Sequence, residues 1–181
     1  MDRNPGIRPP LGPIRRLDAV ARAAFPAAST VLLLLILAAP LDLPAQAELA
    51  PAMLLGCIFF WSLVRPASMS APLVFALGLL SDLLGDTPIG VTILILLIVH
   101  GLAVRWRPVL VEQGFLLVWF AYVAVVLGAA ALDWALCSIL AFMVLPPAPI
   151  VFEAVLAAGI YPAWAMLLSG AHRAVATAEP P

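Results

Sequence analysis

Asp82 and Asp86 lie four residues apart, a spacing that sets two carboxylates on one helical face, where they could divide acid and base roles. Gly78 sits one turn earlier on the same face. The other residue types able to do chemistry are scattered. His100 stands without a second ligand at helical spacing, so it reads as a hydrogen-bonded structural histidine. Cys57 and Cys137 lie far apart in apolar stretches without Cys-x-x-Cys spacing, and read as small hydrophobes rather than a disulfide or metal pair. The sequence has no Gly-rich phosphate loop, no His/Cys cluster and no nucleophile–base pair. It therefore predicts no turnover, no bound metal and no cofactor.

The aspartate pair has a structural reading that outweighs the catalytic one. Intramembrane aspartyl proteases carry Gly-x-Gly-Asp on one helix and Tyr-Asp on another. Here Leu83 stands where the first of those glycines would, and no Tyr-Asp occurs. The local chemistry instead describes a tight helical hairpin. Gly85 can take the left-handed conformation that ends a helix. Thr87 would cap the next helix, with Pro88 at its first position, where a missing N–H costs nothing. Gly90 would allow close backbone approach. A carboxylate at Asp82 should meet donors from a neighbouring helix, or from the amides around residues 87–90 at the positive end of the next helix dipole. Gly78, Asp82, Gly85, Asp86, Thr87, Pro88 and Gly90 thus form one candidate motif, structural in character.

The elements that must position this motif follow from composition. Of 181 residues, 65% are hydrophobic and 10% charged, with mean hydropathy +1.13. Soluble domains carry about 25% charged residues. Such a chain cannot cover a water-facing surface, which excludes a soluble enzyme or a nucleic-acid binder and predicts an all-α polytopic membrane protein. Six apolar runs are expected, at residues 23–39, 51–64, 68–84, 88–104, 113–145 and 150–169. Residues 1–22 read as a polar Pro/Arg-rich tail, 23–170 as the membrane domain and 171–181 as a second tail. Ala45-Gln46-Ala47 resembles a signal-peptide cleavage site, but the long Pro-rich lead-in and the later spans argue against cleavage. The fifth run is too long for one upright span, so a break or strong tilt is expected near residues 128–133, with Asp133 and Pro147 on the same side. Pro162 should kink the sixth.

Charge placement sets the topology. All nine basic residues are Arg: five in the N-terminal tail, then Arg65, Arg105, Arg107 and Arg173. In a six-span chain every one falls on the same side, which predicts both termini in the cytoplasm. Trp61 and Trp106 near these arginines, and Trp134 at the opposite end, read as interfacial rings. Asp133 and Glu153 read as interfacial acids. Gly159 and Ala163 form a small-xxx-small pair beside Trp164, a candidate surface for a partner helix.

The hairpin residues resemble a family pattern. Gly78, Asp82-Leu83, Gly85 and Gly90 are similar to the Gly-x-x-x-Asp-Leu…Gly…Gly signature of the bacterial rod shape-determining MreD family. Pro51, the Leu54-Leu55 run, Trp61, Pro66, the ending Tyr161-Pro162-Ala163-Trp164 and the later Arg173 follow the same order, so the resemblance covers about residues 23–173. The long Pro/Arg-rich start and the absence of Lys depart from it. The resemblance implies a non-catalytic scaffold subunit of the peptidoglycan elongation machinery in the bacterial cytoplasmic membrane. Its implied partners are a single-span MreC-type protein, MreB filaments and the elongation glycosyltransferase and transpeptidase, with no nucleic acid. It also implies a fold like the six-helix substrate-binding subunits of energy-coupling-factor transporters. That opens a second reading, a vitamin-binding transport subunit, marked by a closed polar-lined cavity at the outer side.

Overall fold

The computed structural model describes residues 13–39, 46–85 and 87–176, with side chains described from residue 23 to 170 apart from Ala47. The described residues form six helices and no strands: α1 (Pro13–Ala38), α2 (Gln46–Val64), α3 (Ala71–Leu84), α4 (Val91–Leu110), α5 (Phe115–Leu140) and α6 (Ala148–Ala176). Three of them, α4, α5 and α6 over Ala148–Gly170, are long and apolar enough to cross a membrane. The apolar parts of α1, α2 and α3 are shorter.

Helix α2 is the centre of the bundle. Its run from Leu54 to Leu63 has no polar face, and every residue in it is buried. A helix apolar all round is stable only when surrounded, and α2 packs against α1, α4 and α6. The remaining helices pair as hairpins, α3 with α4 and α5 with α6, while α4 also meets α5. Outward faces stay apolar: Leu32, Phe120, Leu127 and Val155 are all exposed. Such a surface suits lipid rather than water.

Helix boundaries differ from the sequence reading in informative ways. Helix α1 starts at Pro13, ahead of the apolar run, while residues 1–12 and 177–181 of the expected tails lie outside the described residues. Helix α4 begins and ends later than expected, running past Arg105-Trp106-Arg107 and through Pro108. Helix α5 is not broken near residues 128–133; it continues for 26 residues, about 39 Å at 1.5 Å per residue. Asp133 is accommodated within it, half-buried, with Cys137 Sγ 3.6 Å from its Oδ1 one turn on. The chain then folds back at once. Trp134 Nε1 donates to the Leu145 carbonyl at 2.9 Å, which ties the α5–α6 turn to the side of α5.

Helix α6 runs through Pro162. A proline inside a helix leaves the carbonyl four residues earlier without its donor. That carbonyl belongs to Ala158, and Trp119 Nε1 of α5 donates to it at 3.0 Å. The proline thus exposes an acceptor that locks α5 to α6.

Candidate functional site

The α3–α4 hairpin is built on Gly78. A Cβ placed there would lie 2.8 Å from the Ile93 Cα, so the missing side chain is what lets α3 and α4 approach backbone to backbone. One turn later Asp82 emerges on the same face, only 3% exposed. Its carboxylate meets the start of α4. The Gly90 amide donates to Oδ2 at 2.7 Å, and the Thr92 amide and the Thr87 hydroxyl donate to Oδ1 at 3.3 and 3.2 Å. The first amides of a helix have no partner within it. Asp82 therefore caps α4 from a neighbouring helix, with its negative charge at the positive end of the α4 dipole.

The turn itself works differently from the local reading of the sequence. Gly85 is extended (φ −105°, ψ −176°), not left-handed, and its amide donates to the Ser81 carbonyl at 2.9 Å. The left-handed residue is Gly90, with φ +104°, at the cap of α4. A Cβ on Gly90 would meet nothing within 4 Å. Backbone conformation rather than close approach is what this position asks of glycine. Pro88 lies before the helix, not at its first position, and Thr87 does not cap α4 directly; its hydroxyl serves Asp82 instead. The physical reason is shared: with Asp82 supplying the cap, α4 needs none from its own flank. Asp86 lies outside the described residues.

Two acids converge near this hairpin that sequence reasoning placed merely at an interface. Asp133 of α5 and Glu153 of α6 line one cavity of about 70 Å³, together with Thr87, Thr92 and apolar residues of α2, α4, α5 and α6. The signal was their position about the α5–α6 turn: Asp133 lies seven residues before the end of α5, and Glu153 five after the start of α6. In an antiparallel pair such positions sit at similar height.

The opposite end of the bundle holds the described arginines. Arg107 Nε donates to the Leu63 carbonyl at 2.8 Å, satisfying one of the last acceptors of α2. Arg105 is exposed. A turn deeper, Ser62 Oγ and His100 Nδ1 share a hydrogen bond of 2.8 Å between α2 and α4. His100 thus has a structural partner.

The remaining expected positions separate. Gly159 and Ala163 lie together on the exposed face of α6, and a Cβ on Gly159 would meet nothing within 4 Å. Trp164 does not belong to that face. It turns inward and donates through Nε1 to Cys57 Sγ at 3.1 Å. Five residues is about 140° around a helix from Gly159, whereas four brings Ala163 back beside it. Trp61 is not interfacial either: it is fully buried, edge-on to Phe25 and Phe60. Trp106, by contrast, is 43% exposed. No family model, no curated protein and no solved structure matches this chain.

Proposed function

We propose that this chain is a non-catalytic, six-span scaffold of the bacterial cytoplasmic membrane, an MreD-like subunit of the peptidoglycan elongation complex with both termini cytoplasmic. Its partners on this reading are an MreC-type single-span protein, MreB filaments and the elongation glycosyltransferase and transpeptidase. The observation that carries it is the use made of Asp82. The one carboxylate at the heart of the family-like motif has both oxygens engaged by Thr87, Gly90 and Thr92. A carboxylate committed to three structural donors supports a framework role rather than an acid–base one. The exposed small-residue pair Gly159 and Ala163 on α6 supplies a flat strip for a partner helix. The reading assigns no turnover, metal or cofactor.

The transport reading draws on the cavity between Asp133, Glu153, Thr87 and Thr92. Its volume of about 70 Å³ is well below the ~300–1,000 Å³ of small-molecule sites, which favours the scaffold.

Co-expression with an MreC-type partner and purification in detergent tests the proposal. Wild type should retain the partner, and Gly159→Leu with Ala163→Leu should release it while the protein stays folded. Saturable binding of a vitamin-like ligand by the purified chain would favour the transport reading instead. A reporter fused after Pro181 that is active only in the periplasm would refute the topology.

A further inference from the structure

Between α4 and α5 runs an apolar groove of about 240 Å³, walled by Ile98, Leu102 and Trp106 on one side and Ala124, Gly128 and Leu132 on the other. Its α4 wall extends from Ile95 to Trp106, about 16 Å of helix. Small residues on α5 make the depression: a Cβ on Gly128 would meet nothing within 4 Å. The groove is too short to hold a spanning helix, which needs about 30 Å of contact. One acyl chain suits it better.

The groove ends at polar groups left over by the fold. Trp106 lines its mouth, 43% exposed, and its Nε1 has no hydrogen-bond partner among the described residues. Arg105 follows Leu102 by three residues, so it neighbours the same stripe of α4. It too has no hydrogen bond or ion pair among the described residues, and it is exposed. Arg107, two residues on, is already tied to Leu63. Glu112 lies in the following turn and makes no ion pair with Arg105 among the described residues.

We propose that this groove binds one anionic phospholipid, with an acyl chain between α4 and α5 and the phosphate at the Arg105 guanidinium and the Trp106 indole N–H. Charge complementarity selects the headgroup: an interfacial arginine favours a net-negative lipid over a zwitterionic one that carries its own cation. Indole rings settle at headgroup level with the N–H free to donate. The site goes beyond the scaffold reading and stands whether or not that reading does, because it needs only that α4 and α5 face lipid.

Native mass spectrometry of the full chain in detergent tests it, with phosphatidylglycerol and phosphatidylcholine added at equal concentration. Wild type should retain phosphatidylglycerol preferentially. Arg105→Gln, at an exposed position, should lower that preference about fivefold. Gly128→Leu should fill the groove and abolish retention of both lipids. Gly101→Leu, on α4 outside the groove and with equally open space, should bind as wild type does. Equal retention of the two lipids by wild type would overturn the proposal. So would an Arg105→Gln protein with unchanged preference, or a folded Gly128→Leu protein that still holds phosphatidylglycerol.

Discussion

The two ends of this bundle treat charge in opposite ways. At the hairpin end, Asp82 is buried and its carboxylate receives Thr87, Gly90 and Thr92. At the arginine end, Arg107 gives one bond to a helix-terminal carbonyl, and Arg105 remains exposed. Both ends satisfy orphaned backbone groups with a side chain from another helix, a carboxylate for amides and a guanidinium for a carbonyl. The difference lies in number and in which side chain is buried. Asp82 is 3% exposed and serves three donors, whereas the half-buried Arg107 serves one acceptor. The hairpin end should therefore govern stability, and the arginine end should matter mainly to what surrounds the protein.

Substitutions at the two ends sharpen that contrast. The largest loss is expected from Asp82→Leu, which leaves up to three donors unpaired at about 1–3 kcal/mol for each that is buried. Thermal unfolding in detergent should show a drop of several degrees or more, and less folded protein should reach the membrane. Asp82→Asn keeps the shape and one acceptor, so its loss should be clearly smaller. Gly78→Val comes next. Its Cβ would press on the Ile93 backbone, where no flexible side chain can yield, and overpacking of this kind costs about 1–3 kcal/mol. Arg107→Gln should cost about 1 kcal/mol through the lost bond to Leu63. If Arg107→Gln proves as damaging as Asp82→Leu, the proposed asymmetry between the ends fails.

The sequence made some of this legible because the determinants are local. All-α character, the six apolar segments and the one-face spacing of Gly78 and Asp82 follow from composition and helical period. The left-handed conformation expected at Gly85 falls to Gly90, the close approach expected at Gly90 falls to Gly78, and the cap expected at Thr87–Pro88 comes from another helix. Once Asp82 binds the first amides, the turn residues are released from capping and the helix starts at Val91. The continuity of α5 through Asp133 was hidden for a similar reason. Polarity within an apolar run reads as an interruption, but Asp133 faces a shared cavity and Cys137 lies beside it. Glu153 joins it there through the register of α5 against α6, which no single-helix pattern encodes. Neighbours in sequence point Trp61 to a membrane interface and Trp164 to a partner surface, while their rings fill the space around α2.

On this reading Asp82 acts by closing the α3–α4 hairpin and not by touching a partner. Capture of a co-expressed MreC-type protein, normalised to the amount of folded chain, tests this directly in wild type, Asp82→Asn and Asp82→Leu. Both variants should lower folded protein, Leu more than Asn, and capture per folded molecule should stay at the wild-type level. An Asp82→Leu protein with unchanged thermal stability that no longer captures the partner would contradict it, and would make Asp82 a contact residue.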